Sequence, residues 1–286
     1  MTEPETTESD GVRIRLGELG QPGQDILDGR AAPAVPRDAA TVMLLRTGPA
    51  GLEVYMLRRQ ASMAFAAGMS VFPGGSVDPR DADQDVAWAG PDAQEWGRRL
   101  AAPPDLARAL VCAAVRETFE ESGVVLAGES PDRVVADPTS DDWERDRNAL
   151  LDHSLSLAEL LARRHLVLRS DLLRPWSRWI TPVFEPRRFD ARFFAAAMPA
   201  GQRTRDVGGE AAATAWTGPR AALESGRRGE IALMPPTAVT LAELAACGDL
   251  AGALSRVPDL GARLPEVLRR EGAAWLTVPG VSEYPL

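Results

Sequence analysis

The nine residues Arg116-Glu117-Thr118-Phe119-Glu120-Glu121-Ser122-Gly123-Val124 put three carboxylates within five positions, behind an arginine and ahead of a glycine. On a helix advancing ~100° per residue, Glu117, Glu120 and Glu121 share a sector of about 100°, so their carboxylates converge. Like charges at i,i+3 and i,i+4 repel by roughly a few tenths of a kcal/mol per pair, and Arg116, four residues before Glu120, relieves only part of this. Small side chains at Ala109 and Ala113, with Leu110, project into the same sector and leave room for an ion or a phosphate, while Cys112, Val115 and Phe119 lie opposite. Two readings fit such an arc. It is the solvated end of an ordinary helix, or a set of hard oxygen donors of the kind Mg²⁺ accepts while keeping several waters.

Upstream lies Phe72-Pro73-Gly74-Gly75. Proline fixes one φ there, and two glycines let backbone come close to whatever is bound. The elements around these motifs follow from periodicity and turn chemistry. ATVMLLR (40–46) and LEVYMLRR (52–59) are β-prone runs joined by TGPAG, which predicts a hairpin. Residues 79–104 lack sustained periodicity and read as an inserted loop with one helical turn near Trp96. Asp105 is placed to cap a helix from Leu106 to Ser122, stopped by Gly123.

Further along, VVL (124–126) reads as a strand and 142–165 as a Leu-striped helix. RWITPVF (178–184), RFDARFFAAAM (188–198) and ATAWT (213–217) read as strands, and the segments 237–247, 250–257 and 262–271 as helices. Residues 1–37, rich in Pro, Gly and acid, read as a flexible arm. The remainder, 38–286, is expected to form a single α/β domain with a mixed sheet and a helical C-terminal part over 219–271.

Composition narrows the function. The net charge of −9 disfavours nucleic acid or an anionic membrane as partner, because a like-charged surface is not drawn to a polyanion. No lysine occurs, so the choice of arginine at any one position says little by itself. Cys112 and Cys247 form no C-x-x-C pair, and two histidines are too few for a histidine-based metal centre. The polar, acidic start lacks the parts of a signal peptide, and no apolar run approaches the roughly 20 residues of a membrane span, so a cytoplasmic location is expected.

The hairpin, the PGG turn and R-E-x-x-E-E-x-G on a helix together resemble the Nudix hydrolases, whose box reads G-x5-E-x7-R-E-U-x-E-E-x-G-U with U apolar. Residues 116–124 supply its second half, with Thr118 at the first U. Forty residues separate Gly75 from Arg116 where the box has 13, so about 27 are inserted, and counting back from Arg116 puts Arg108 at the position of the isolated glutamate. The long insertion, GMSVFPGGSVD (68–78) and WSRWITPVFEPRRFDARFF (176–194) look like the branch that includes peroxisomal coenzyme A diphosphatases. A shorter coenzyme A motif is matched at Arg59, Gly68 and Phe72–Gly75, with Gln60 and Ala64 departing from it.

The resemblance, which spans roughly 39–245, implies a Nudix α/β/α sandwich with an insertion inside the box and extra C-terminal helices. It implies cleavage of a diphosphate bridge in a nucleoside diphosphate derivative, with coenzyme A or acyl-CoA as first choice. ADP-ribose, NADH or a nucleotide sugar are rivals, as is a Nudix-fold regulator without turnover. Glu117, Glu120, Glu121 and the Gly74 carbonyl would hold Mg²⁺ or Mn²⁺, Arg116 would orient the acids, and Glu210 would be a further ligand or the base. Arg58, Arg59, Arg187 and Arg188, with Phe72, Gly74 and Gly75, would meet the substrate, and a homodimer is compatible with the apolar C-terminal segments. Trp176, Trp179 and Phe184 offer an aromatic face, and His153 and His165 read as surface residues.

Overall fold

The computed structural model describes residues 12–15, 20–60, 67–83, 85–205, 211–270, 273–279, 281 and 284–286. In chain order its elements are β1 (Val12–Arg15), α1 (Gln21–Leu27), β2 (Arg37–Gly48), β3 (Gly51–Arg59), β4 (Met69–Val71), β5 (Gly74–Ser76), β6 (Trp88–Ala89), α2 (Ala93–Leu100), α3 (Pro104–Ser122) and β7 (Ala127–Gly128). They continue with α4 (Asp141–Leu151), α5 (Leu157–Arg163), β8 (Val167–Arg169), β9 (Leu173–Ile180), β10 (Phe189–Ala197), β11 (Ala211–Thr217), α6 (Pro219–Arg227) and β12 (Ala232–Leu233). The last are α7 (Pro235–Cys247), α8 (Leu250–Ser255), β13 (Asp259–Arg263), β14 (Glu266–Arg270) and β15 (Ala273–Val278).

The central sheet runs β12-β4-β3-β2-β10-β9-β13, with β11 also on β3 and β5 on β2. It is mixed: β2 and β3 form the expected antiparallel hairpin, while β10 lies parallel to β2. Alternation along the strands sorts side chains into two layers. Ala40, Val42 and Leu44 of β2, with Phe194 and Ala196 of β10, join a core beneath α3. Met43 and Leu45, with Phe193 and Ala195, join a second core beneath α6 and α7. The outcome is an α/β/α sandwich, and α3 is buried along almost its whole length from Ala107 to Glu120.

Several segments differ from the sequence reading. Within the arm expected over 1–37, β1 pairs with β15 and Gln21–Leu27 is helical, with a proline in the first turn where a missing N–H costs nothing. The 79–104 insertion holds a short 3₁₀ turn (Pro79–Ala82), β6 and the helix α2, which Asp92 caps by accepting from the Glu95 N–H. The catalytic-helix candidate starts at Pro104, with Asp105 inside its first turn rather than capping it. Residues 124–126 are buried but not a strand, and the helix expected over 142–165 breaks into α4 and α5 at His153, whose φ of 60° is left-handed.

The helix expected over 262–271 is replaced by β13 and β14. Pro265 interrupts helical hydrogen bonding there, and β15 offers an antiparallel partner for Glu266–Arg270. That pairing is a long-range contact which local periodicity does not contain.

Candidate active site

Two features of the local sequence build the site. Gly74 and Gly75 sit on β5, paired with Thr41 and Ala40 of β2. A Cβ on Gly74 would lie 2.5 Å from the Ala40 carbonyl oxygen, and one on Gly75 would lie 2.3 Å from Glu117 Oε1. Both positions therefore demand glycine, one for the strand pairing and one to seat a carboxylate. Gly123, at φ 73°, ends α3 with its N–H donating to the Phe119 carbonyl.

At the C-terminal end of α3 the Arg116 guanidinium is the organising group. Its Nε donates to Asp81 Oδ1 (3.0 Å), one Nη donates to Asp81 Oδ2 (2.9 Å) and to the Ser76 carbonyl (3.0 Å), and the other Nη donates to Glu117 Oε1 (2.8 Å) and Glu120 Oε2 (3.1 Å). All five guanidinium N–H donors are thus used. Glu121 turns the other way and accepts from the Gly74 N–H at 2.8 Å. The Glu120 carbonyl accepts from Arg147, which is itself paired with Glu144.

Asp81 was not among the residues expected at the site, and the signal for it was present. Counting forward from Gly75, five residues precede it, so the box begins as G-x5-D and the insertion follows the acid. Counting back from Arg116 led to Arg108 instead. That residue is buried and ties down the insertion, donating to the carbonyls of Asp83 (3.3 Å) and Val86 (3.0 Å) and lying 4.8 Å from the Trp88 ring. The Asp81 carboxylate is fixed by accepting the Asp78 N–H (2.8 Å), one half of the box that caps the 3₁₀ turn.

Electrostatics follow from this burial. Three carboxylates meet one guanidinium in a space almost closed to water. Desolvation pushes Glu117 up to about 8, the Arg116 charge opposing it, and burial likewise raises Glu120. For Arg116 burial works against the charged form, but hydrogen bonds to Asp81 and the fields of Glu117, Asp81 and Glu120 outweigh it and raise its pKa. Cys112, on the far side of α3, is pushed up to about 12 by burial, which suits an inert core thiol.

The remaining expected site residues scatter. Arg58 is exposed and Arg59 half-buried at the end of β3, opposite Ala213 and Ala211. Arg187 is exposed, whereas Arg188 is buried and donates to the Thr181 (3.0 Å) and Ala34 (2.7 Å) carbonyls, a tie between segments rather than a phosphate ligand. Phe72 is buried in the core under α7, as are Trp176 and Trp179, so none of the three offers a face to a nucleobase. Glu210 lies outside the described residues, between Arg205 and β11 in sequence. The Arg205 N–H donates to the Ser122 carbonyl (3.0 Å) at the end of α3, and its guanidinium pairs with Glu144.

Among the described residues no three acidic, histidine or cysteine side chains converge as a ready-made metal cage. Arg116 and the Gly74 N–H occupy oxygens that a cation would need. The donor set itself fits a hard dication: all its side-chain donors are oxygens, and the carboxylates exceed the buried positive charge. No described helix is long and apolar enough to cross a membrane.

Comparison with known proteins bears on the family and the fold. The model of the NUDT19 Nudix domain matches residues 91–244. The chain is 25% identical over 231 residues to the acyl-coenzyme A diphosphatase NUDT19 of Xenopus laevis, covering 67% of this chain and 59% of that protein. It is 26% identical over 258 residues to the Gallus gallus protein of the same name, covering 73% and 68%. Among solved structures, a NUDIX hydrolase from Alicyclobacillus acidocaldarius superposes with a TM-score of 0.65 at 29% identity, over 79% of this chain and 98% of that one. With the matched region taking in more than half of the chain, including the whole of α3 and its acids, the protein belongs to the NUDT19 Nudix domain family.

Proposed function

We propose that the chain is a divalent-metal-dependent diphosphatase, and that its substrate is coenzyme A or an acyl-CoA, cleaved to 3′,5′-ADP and (acyl-)4′-phosphopantetheine. The observation that carries the reading is the Arg116 fork, which gathers Asp81, Glu117 and Glu120 beside Glu121 and the glycine pair. Carboxylates alone would repel a polyanionic diphosphate. Glu117, Glu120 and Glu121, with the Gly74 carbonyl, would hold Mg²⁺ or Mn²⁺, which supplies charge to offset the phosphates and acidity toward their oxygens and toward water.

The chain's own residues then have separable tasks. Arg116, itself pinned by Asp81, keeps Glu117 and Glu120 side by side, and Gly75 leaves the space into which Glu117 fits. Glu210 is assigned either to metal or to the proton that the attacking water gives up as the bridging P–O bond breaks toward the leaving phosphate. Arg58, Arg59 and Arg187 are assigned to the phosphates, as bidentate donors. The substrate class is supported by the names of the frog and chicken relatives.

A panel of diphosphates with Mg²⁺ or Mn²⁺, products identified by mass, tests the reading. Coenzyme A preferred over dephospho-coenzyme A supports it, and equal rates on ADP-ribose, NADH or a nucleotide sugar would shift the substrate. A wild-type protein that binds a nucleotide without ever cleaving it would make the chain a regulator. Within the same proposal we place the chain in the cytoplasm as a homodimer, which fractionation and sedimentation decide.

A further inference from the structure

One buried arginine of the sheet is only half used. Arg192 of β10 follows the alternation of Phe194 and Ala196, which pack beneath α3, so its side chain lies on the same face of the sheet as the acids. That side chain is 3% exposed. Through Nη1 it donates to the Asp190 carbonyl (3.4 Å) and carboxylate and lies 3.9 Å from Asp38 Oδ1. The other edge is unspent: Nε is shut off from water without a partner, and Nη2 pairs with none of the described residues.

Nε and Nη2 form the fork with which a guanidinium grips a carboxylate or a phosphate through two parallel bonds. Every other described buried arginine commits at least one of these two nitrogens, as Arg116 does to Asp81, Arg147 to Glu144, Arg169 to Asp171 and Arg188 to the Thr181 carbonyl. Arg192 does not.

A structural duty leaves that edge unexplained. Arg192 stands opposite Arg178 of β9, and Asp190 beside Asp38 of β2, so like charges face each other in both pairs, which costs stability. Arg178 already holds both Asp190 oxygens (2.9 and 2.6 Å), and Asp38 is too far from Arg192 for a hydrogen bond. Burial lowers the Arg192 pKa against the opposing field of Asp190, as for a charge short of partners. A buried N–H in this state calls for a ligand or an ordered water.

Strand register places the fork relative to the acids. Arg192 pairs with Ala40 of β2, and Ala40 pairs on its other side with Gly75, against which Glu117 is seated. Two strand spacings of about 4.8 Å put the Arg192 backbone roughly 10 Å from Gly75 on one face. A diphosphate with its nucleoside spans that gap. The way in is open, because the Asp38 side chain beside Arg192 is 38% exposed.

We propose that Arg192 is a substrate-binding residue whose Nε–Nη2 edge takes two oxygens of a phosphate group of the nucleotide substrate, with Asp190 and Arg178 holding the guanidinium in place. The proposal rests on the diphosphatase reading above. The phosphate belongs either to the diphosphate bridge or to the 3′ position, and the choice of substrate separates the two.

Arg192→Lys keeps a positive charge beside Asp190 and Asp38 but has no fork, so the fold survives, as circular dichroism and Tm report. With Mg²⁺ its kcat/KM on coenzyme A falls about tenfold or more, as for loss of a charge-assisted hydrogen bond. An equal fall on dephospho-coenzyme A assigns the edge to the diphosphate, and no fall there assigns it to the 3′-phosphate. A folded Arg192→Lys as active as wild type on both substrates overturns the proposal. Crystals of the wild type with 3′,5′-ADP and Mn²⁺ test the edge without any variant: a phosphate within hydrogen-bond distance of Nε and Nη2 supports it, and an ordered water alone there overturns it. If the wild type cleaves no diphosphate, the diphosphatase reading falls, and the crystal still decides Arg192.

Discussion

Asp81 offers the sharpest test of how the acidic cluster is built. Its side chain is 2% exposed and holds the Nε edge of Arg116 through two charge-assisted bonds of 3.0 and 2.9 Å, besides accepting the Asp78 N–H. Each such bond contributes about 1.5–3 kcal/mol. Against this, Asp81→Ala removes one of three carboxylates crowded around a single guanidinium, which relieves repulsion. The net loss expected is about 2–4 kcal/mol, or roughly 4–16 °C in Tm for a chain of this size. The functional effect is separate. Released from Asp81, Arg116 turns fully onto Glu117 and Glu120 and competes with the cation, so Mn²⁺ affinity falls about 10- to 100-fold, as when a residue supporting a metal ligand is lost. Calorimetric Mn²⁺ titration and thermal melts of Asp81→Ala and Arg108→Ala check this together. Arg108→Ala loosens the insertion and lowers Tm but leaves Mn²⁺ affinity unchanged. If the two variants behave the other way round, or Asp81→Ala binds Mn²⁺ as wild type does, the assignment of Asp81 is wrong.

Other outcomes follow from the same geometry. Glu120→Gln with Glu121→Gln abolishes Mg²⁺-dependent product release while the protein stays folded, checked by the mass assay and circular dichroism. Gly75→Ala drives a methyl to within 2.3 Å of Glu117 Oε1 and displaces the carboxylate, so turnover collapses with a smaller change in Tm. Burial holds Glu117 at about 8, above the ordinary 4.5 that applies when the chain is unfolded. Between those values the folded state keeps a proton that the unfolded state releases, so metal-free stability falls as pH rises from about 5 to about 8. Saturating Mg²⁺ flattens that slope, and a metal-free Tm that rises across the window contradicts the buried acid. Glu243 of α7 accepts from the Trp176 indole (2.6 Å) and pairs with Arg263 (2.9 Å) and Arg256 (3.2 Å). Glu243→Ala leaves two arginines without that partner and costs about 3 kcal/mol, read as an early loss of tryptophan fluorescence on heating.

The motif-bearing parts of the molecule were legible in the chain because their causes are local. The β2–β3 hairpin follows from two β-prone runs and a Gly-Pro turn, α3 and its stop from periodicity and Gly123, and the acidic arc from the spacing of Glu117, Glu120 and Glu121. Several of the misreadings concern partners distant in sequence. Pro265 and the alternation after it mark a strand only when β15 is there to pair with it, and β1 is a strand for the same reason. Arg188 and Phe72 looked available for substrate until the fold enclosed them, one on the Ala34 carbonyl and the other in the core.

Residue types and spacing by themselves determined that this protein concentrates carboxylates on one helix beside a glycine turn, because helical pitch and glycine's freedom are properties of a few consecutive residues. Only the tertiary structure decided which acid completes the set. Asp81 and Arg116 are separated by 34 residues that the sequence could align from either end, and it is the folding of the insertion that brings the aspartate, not Arg108, onto the guanidinium. The same packing desolvates the cluster, and desolvation rather than sequence sets the charge that a metal ion would have to balance.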